Sequence, residues 1–282
     1  MEQPSRARPA WSRRISGPAL TDTGLYLCLM AGLVWLLAEG TRQSGYNWQW
    51  YQIPKYLWRV TDQGVIWGPL MQGLGITLQI TAVSMGLMLC IGLVTALMRM
   101  SASPVARGTA RVYMELIRNS PLLIQLFFIY FVIAPILDIP AFWAAVIALS
   151  LFEGAYASEI LRAGITSIQA GQWEAARSLG MSPFSMYRHI ILPQAVRRVL
   201  PPMTSQAVSL VKDSALVSTI AIMDLTQQGR MIDAETFLTF EIWFTVAAIY
   251  LAVTLALSGA ARLLERHYPA NGHDLQPQER VP

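Results

Sequence analysis

The amino-acid sequence predicts an all-α protein that crosses a membrane several times. Of its 282 residues, 54% are hydrophobic and only 13% are charged, and the mean hydropathy is +0.41. This composition leaves too little polar surface to cover a soluble globule of that size. Apolar stretches also recur along the chain, each near the ~20 residues that a helix needs to cross a bilayer. We therefore predict a polytopic bundle of about six transmembrane helices.

The six predicted spans differ in regularity. Pro201-Pro202, just before the fifth span, predicts a kink, and glycines in the second span predict close helix packing. Lys212-Asp213-Ser214 interrupts the fifth span, so a break is expected there. In chain order, the spans are Leu25–Gly40, Leu74–Met98, Leu122–Ile139, Phe142–Leu161, Ala207–Ile222 and Phe240–Leu263.

Basic residues are divided unequally between the two sides of this topology. Sixteen of the 21 Lys and Arg residues fall in the N-terminal tail, the loops after the second and fourth spans, and the C-terminal segment, whereas four fall in the opposite loops. Since positive charge is retained in cytoplasmic loops, both termini and the loop after the fourth span are predicted to be cytoplasmic. The net charge of +4 follows from this orientation, and no basic stripe suits nucleic acid.

The domain prediction follows from these spans. We expect a cytoplasmic tail over residues 1–20, a membrane domain over residues 21–268 and a flexible cytoplasmic tail over residues 269–282. A cleaved signal sequence is the alternative for the first span, but no small-x-small cleavage site follows it. An aromatic-rich segment between the first two spans is expected to lie along the outer interface.

The loop after the fourth span is a polar insert, EAARSLGMSPFSMYRHIILP, over Glu174–Pro193. Its first part, Gln172–Leu179, is rich in helix-forming residues. The apolar residues Ala175, Ala176 and Leu179 are spaced to share one side of such a helix. A short amphipathic helix is therefore predicted at the start of the insert.

A bend and a second short helix are predicted next. Gly180 permits a left-handed conformation that other residues resist, and Ser182-Pro183 can start a helix, with serine as the cap and proline at the first position. Two short helices at an angle would form a compact knob available to a soluble partner. An ordinary amphipathic loop on the membrane surface is the alternative.

Ionisable residues within the spans are the first candidates for a functional site. A charge at the bilayer centre costs on the order of 3 kcal/mol, so such residues are usually paired or line water. Glu153 lies near the middle of the fourth span and shares a helix face with Tyr156. Glu159 is displaced by about 120° around the same helix.

These groups could act on a solute or only on each other. Glu153 and Tyr156, with Lys212-Asp213-Ser214, could surround a hydrated cavity in which a zwitterion finds both charge partners. Alternatively, Lys212 pairs with Glu159 or Asp213 to hold the bundle together, without contacting a solute.

Several kinds of chemistry have no motif in the sequence. There is no GxxxxGK[ST] phosphate-binding loop, so any ATP would be hydrolysed by another subunit. The three histidines lack metal-ligand spacing with each other and with Cys28 and Cys90, and no local catalytic triad motif occurs. We predict neither an enzyme nor a metal site.

The spacing within the insert supports a more specific interpretation. Glu-Ala-Ala, three residues, Gly180, nine residues, Ile190, one residue and Leu192-Pro193 resemble the EAA loop of permease subunits of bacterial ATP-binding-cassette (ABC) importers. Residues 70–268 are similar to the permeases of polar amino acid importers of this class. The matching stretches are Tyr113–Pro121 (family RGTP, here RNSP), Ala155–Ile165 (AYxxEIxRxxI), Gly171–Ala176 (GQxEAA), Pro193–Pro201 (within LPQAxRxxLP) and Lys212–Leu216 (KDTSL, here KDSAL).

The resemblance implies an architecture and a set of partners. The fold would be a type I ABC importer permease bundle in the bacterial inner membrane, with residues 25–40 as an additional first helix and a coupling loop at residues 170–195. Two permease subunits, identical or paralogous, would share one path. Two cytoplasmic ATPase subunits, which bind ATP and Mg²⁺, would grip the knob. An external binding protein would deliver a polar or charged amino acid.

The resemblance also assigns site residues. A secondary transporter or channel that uses Glu153 and Lys212 as a relay, and an intramembrane enzyme, are the alternatives, but neither has a use for the insert. The residues implied to couple the chain to the ATPase are Glu174, Ala175, Ala176, Gly180, Met181 and Ser182, and those implied to line the substrate path are Arg118, Glu153, Tyr156, Glu159, Lys212, Asp213 and Ser214.

Overall fold

The computed structural model describes residues 19–43, 45–62 and 64–267, most of which are helical. These residues divide into two compact units between Gln49 and Trp50. The first unit contains helix α1, Ala19–Gln43, which covers the predicted first span. The side chains of its apolar stretch Thr23–Leu33 are exposed. The first 18 residues of the predicted N-terminal tail, 1–20, and the whole predicted C-terminal tail, 269–282, lie outside the described residues, whereas Ala19 and Leu20 begin α1.

The second unit begins with the aromatic-rich segment that precedes the second predicted span, and this segment contains regular structure. A turn at Trp50–Gln52 leads into the one-turn helix α2, Pro54–Leu57. Strands β1, Trp58–Thr61, and β2, Gly64–Trp67, then form an antiparallel hairpin in which Trp58 lies opposite Trp67. The alternation of aromatic and β-branched residues before and after a turn favours this hairpin.

Three described helices are long and apolar enough to cross a membrane. They are α3, Pro69–Met100, α7, Ala141–Thr166, and α12, Thr239–His267. They contain the predicted second, fourth and sixth spans. Helices α3 and α7 pack closely at Gly92, which has no side chain. A β-carbon at this position would lie only 2.8 Å from the β-carbon of Ala157.

The predicted third span is one arm of a bent unit. Helix α4, Pro104–Arg118, is followed by α5, Leu122–Phe127, a wider helical stretch at Phe128–Ile133 and α6, Ala134–Leu137, with a bend of 105° between the two arms. The bend lies at Asn119-Ser120-Pro121, where proline disfavours a continuous helix. The Gln125 side chain donates hydrogen bonds to the carbonyl oxygens of Ile117 (2.7 Å) and Ser120 (3.0 Å), which would otherwise be free at the end of α4.

The predicted fifth span, Ala207–Ile222, does not form a separate helix. Helix α10 begins much earlier and covers Leu192–Asp213, after which a tighter 3₁₀ segment runs over Ser214–Ile220. The helix therefore changes from α to 3₁₀ geometry at Lys212-Asp213-Ser214, where the sequence predicts a break. Pro201-Pro202 lies inside α10, where the hydroxyl groups of Thr204 and Ser205 donate to the carbonyl of Pro201 at 2.7 and 3.4 Å.

Three short helices complete the second unit. Helices α8, Ala170–Ser178, and α9, Pro183–Met186, connect α7 to α10 through a wider turn at Tyr187–Ile191. Helix α11, Leu225–Thr236, packs against α3 and α12. The main core lies between α3, α5, α7 and α10, and its fully buried side chains include Ile80, Met88, Leu126, Leu149 and Leu210.

Candidate functional site

A buried carboxylate lies at the contact between α7 and α10. Glu153 on α7 has no exposed surface, and its Oε2 accepts a hydrogen bond from the side-chain amide of Gln206 on α10. Its second oxygen, Oε1, is buried without a hydrogen-bond partner among the described residues. The carboxyl group of Asp213 is a close electrostatic neighbour. An acidic group in this environment can be satisfied by a proton or by a cationic group of a ligand.

A second carboxylate, Glu159, lies further along α7 and joins three helices. The Glu159 carboxylate lies 2.5 Å from the guanidinium of Arg99 on α3, 2.8 Å from that of Arg162 on α7 and 4.0 Å from that of Arg118 on α4. The suggested pairing of Glu159 with Lys212 is therefore wrong, because arginines occupy both oxygens of Glu159.

These arginines line a polar cavity in the described part of the chain. The cavity has a volume of about 600 Å³ and lies between α3, α4 and α7. Arg118 lies over the ring of Tyr156, 5.3 Å from its centre, so these two predicted path residues are in contact. The lining residues are Arg99, Arg107, Arg111, Met114, Glu115, Arg118, Asn119, Tyr156 and Arg162.

Lys212 lies in a different cavity. It is exposed at the end of α10, in a space of about 430 Å³ between α10 and α12. Ser205, Ser209 and Arg262 line the same space. Ser214 is buried, and its hydroxyl donates to the carbonyl of Val211 at 2.7 Å. The chain thus brings Arg118, Tyr156 and Glu159 together, while Lys212 lies apart from them.

The polar insert has the predicted knob geometry. Helix α8 ends at Ser178, and Gly180 adopts a left-handed conformation with φ of +68°. The amide of Met181 donates to the carbonyl of Ala176 at 3.2 Å, and that of Gly180 donates to the carbonyl of Arg177 at 2.9 Å. This hydrogen-bond pair is the Schellman arrangement that closes a helix C-terminus.

Helix α9 then starts as predicted. The Ser182 hydroxyl accepts a hydrogen bond from the amide of Ser185 at 3.3 Å, and Pro183 occupies the first turn. The two short helices therefore leave the bend in fixed directions, because both of their facing ends are capped.

The knob has a buried base and an exposed tip. Ala176 is fully buried against Ile165 of α7 and Ile191 before α10. In contrast, Leu179 and Phe184 are 78% and 74% exposed at the bend. Leu179 does not share the buried environment of Ala176, because α8 ends before this position. Glu174, Ala175 and Ser182 are also exposed.

Sequence reasoning missed three polar partners of Glu153 and Glu159. Arg162 follows Glu159 by three positions on a predicted helix, so its ion pair had a local signal. Arg99 and Gln206 had no local sequence signal, because their partners, Glu159 and Glu153, are 60 and 53 residues away in sequence. Only the packing of α3 and α10 against α7 brings these groups together.

Known proteins resemble this chain in sequence. Residues 88–268 match the family described as binding-protein-dependent transport system inner membrane component. The chain is 39% identical over 211 residues to the glutamine transport system permease protein GlnP of Escherichia coli strain K12, covering 73% of this chain and 96% of that protein. It is 41% identical over 202 residues to the probable glutamine ABC transporter permease protein GlnP of Bacillus subtilis strain 168, covering 70% and 92%.

Solved structures show the same fold. A crystal structure of an amino acid ABC transporter with histidines aligns with a TM-score of 0.66 and 40% identity, over 71% of this chain and 94% of the other. An inward-facing structure of the MetNI methionine ABC transporter aligns with a TM-score of 0.60 at 21% identity, over 71% and 95%. The second likeness supports the bundle architecture alone. The resemblance inferred from the sequence is confirmed.

Proposed function

The chain belongs to the family of binding-protein-dependent transport system inner membrane components, and from this premise we propose that it forms the translocation path of an ATP-driven importer for a polar or charged amino acid. The family match covers most of the second structural unit. The glutamine permeases and the amino acid transporter among the similar proteins support the solute class. The observation that carries the proposal is the capped knob with its exposed apolar tip.

The knob is the proposed contact with the motor. Two ATPase subunits, which bind ATP and Mg²⁺, receive the exposed side of Glu174–Met186, and this chain itself hydrolyses no nucleotide. Leu179 and Phe184 supply apolar area at the tip, and such exposed apolar side chains favour a protein partner. The buried base at Ala176 supports the transmission of movement from the tip to α7 and α10.

The path requires two permease subunits, identical or paralogous, and an external binding protein that delivers the solute. Glu153 and Asp213 are proposed to receive the ammonium group, since one Glu153 oxygen is unsatisfied within the described residues. Lys212, near the end of α10, and Ser214, which directly follows α10, are proposed to line the path. The cavity beside Lys212 supports the proposal that this face of α10 lies at the boundary between the two permease subunits.

ATP-driven closure of the motor subunits would move the knobs together and tilt the two bundles between outward and inward access. The proposal places the knob and both chain termini on the cytoplasmic side of the inner membrane. The sixteen-to-four division of basic residues between the two sides supports this orientation.

Reconstitution tests the proposal. Vesicles containing this chain, its ATPase and a second permease should accumulate labelled amino acid only with ATP inside and binding protein outside. Vesicles containing the chain alone should accumulate none. Uptake by the chain alone, driven by an ion gradient, would instead support a secondary transporter and refute the proposal.

A further inference from the structure

The cavity between α3, α4 and α7 carries an excess of positive charge. Five arginines line it, whereas only the carboxylates of Glu115 and Glu159 lie among or beside them. The excess is three positive charges. Arg107, Arg111 and Arg118 are exposed, so solvent screens the repulsion between them in part, but the excess positive charge still favours an anion that enters this space.

Two of the arginines have no carboxylate partner among the described residues. Arg107 donates only to the backbone carbonyls of Ser101 and Ala102, at 3.0 and 3.1 Å. Arg111 makes no hydrogen bond or ion pair within the described part of the chain. The Nε of Arg162 is buried without a partner there as well. These guanidinium groups keep hydrogen-bond donors available for a ligand.

Helix α4 directs its arginines into the cavity. Arg107, Arg111 and Arg118 follow one another at intervals of four and seven residues, so they share one helix face. The opposite face exposes apolar side chains, including Val105 and Leu116. A preference for basic residues in cytoplasmic segments explains why arginines occur here. It does not explain why they converge on the space that contains Tyr156.

We infer that the transported solute is an acidic amino acid, whose carboxylates are received by Arg107 and Arg111 in the arginine-lined cavity. This inference rests on the proposed function. Guanidinium groups bind carboxylates through paired, charge-assisted hydrogen bonds. The α-carboxylate of a solute compensates one of the excess positive charges, and a side-chain carboxylate compensates a second. A neutral side chain leaves that charge uncompensated, and a cationic side chain is repelled.

The complete transporter in proteoliposomes provides the test. With ATP and the binding protein, we expect uptake of L-glutamate and L-aspartate to exceed that of L-glutamine and L-arginine by about tenfold or more. Arg111→Gln should reduce L-glutamate uptake by about tenfold. Arg197→Gln, which removes an exposed arginine of α10 outside the cavity, should leave uptake unchanged.

A binding measurement separates this inference from the proposed function. Phenylglyoxal modifies exposed arginines, and L-glutamate should slow the modification of Arg111 in the detergent-solubilised transporter, whereas L-lysine should not. ATP-driven uptake of L-glutamine without uptake or protection by acidic amino acids would overturn the inference and leave the importer intact. Protection by phosphatidylglycerol but not by L-glutamate would assign the cavity to a lipid headgroup and also overturn it. Absence of ATP-driven uptake of every amino acid would refute the importer itself.

Discussion

Glu159 determines how three helices meet at one end of the bundle. Its carboxylate is shared by arginines from α3, α4 and α7, and its side chain retains 36% of its accessible surface. Solvent therefore screens the ion pairs in part, but removing the shared anion leaves the arginines to repel one another. The role of this residue is therefore larger than that of an isolated surface ion pair.

We predict that Glu159→Gln lowers the free energy of unfolding by about 1–3 kcal/mol, because the arginine cluster loses its common partner. Thermal unfolding of the purified protein in detergent measures the change. Glu115→Gln is the matched control, since Glu115 is exposed in the same cavity and bonds only to Asn119. Equal melting temperatures for Glu159→Gln and the unmodified protein would contradict the prediction.

Asp224 is a second residue with an unusual environment. It caps α11 by accepting a hydrogen bond from the amide of Gln227 at 2.8 Å, and it is fully buried. Burial raises the pKa of its carboxyl group to about 6, against the opposing effect of hydrogen bonds from Gln227 and Thr226 and of the charge on Arg230. In the unfolded chain its pKa returns to the ordinary value of 3.8.

The sign of the pH dependence follows from this shift. Because the folded-state pKa is raised, the stability contributed by protonated Asp224 is fully present below pH 3.8 and is lost as the pH rises through about 6. The loss amounts to as much as about 3 kcal/mol. We predict that the melting temperature of the unmodified protein falls more between pH 4.5 and pH 7 than that of Asp224→Asn, in which asparagine keeps the cap without a charge.

Parallel pH dependences of the two melting temperatures would show that Asp224 does not titrate in this range. Asp233→Asn serves as a control, because its carboxylate lies in an exposed network with Thr239 and Trp243.

At the level of the element, the knob depends on one backbone conformation. Gly180 at φ of +68° allows the hydrogen bonds that close α8 and fixes the direction in which α9 departs. A β-branched residue in this conformation costs on the order of 1–2 kcal/mol or more, so the bend would open or change direction. The surrounding membrane helices do not depend on this turn.

We predict that Gly180→Val and Glu174→Lys leave the fold intact but uncouple ATP hydrolysis from uptake in reconstituted vesicles. The valine variant distorts the bend, and the lysine variant reverses a charge on the exposed face of α8. Gly180→Asn is the matched control, since asparagine tolerates the left-handed conformation and should retain most of the uptake. Normal stimulated uptake by both uncoupling variants would contradict a coupling role for the knob.

At the level of the whole molecule, the proposed topology places the knob and the β-hairpin segment on opposite sides of the membrane. Phe184 in the knob is 74% exposed, and Tyr51 in the turn before α2 is 78% exposed, so both positions can accept a reactive cysteine. The two native cysteines, Cys28 and Cys90, are exposed and would be replaced by alanine first.

In this background, a membrane-impermeant thiol reagent applied to whole spheroplasts should label Tyr51→Cys and not Phe184→Cys. After the membrane is opened, both should be labelled. Labelling of Phe184→Cys in intact spheroplasts would reverse the orientation derived from the basic residues and would remove the knob from the reach of a cytoplasmic ATPase.

The sequence by itself determined the membrane class, three apolar helices and the local structure of the knob. The lengths of the apolar stretches predict α3, α7 and α12, because a lipid bilayer favours uninterrupted apolar helices. The bend at Gly180 and the cap at Ser182 depend on residues within a few positions, so local conformational preferences were sufficient. The start of α10 at Leu192 was not predicted, because it lies in a polar stretch where hydrophobicity gives no signal.

The tertiary structure decided which charged residues meet. Spacing along α7 indicates which residues share a face, but it does not reveal that Glu153 contacts Gln206 or that Glu159 contacts Arg99. These contacts join residues more than fifty positions apart, and their formation depends on how α3 and α10 pack against α7. The same packing gathers the arginines into one cavity and leaves Lys212 in another, because side-chain position in a bundle follows from the helix packing and not from the order of the chain.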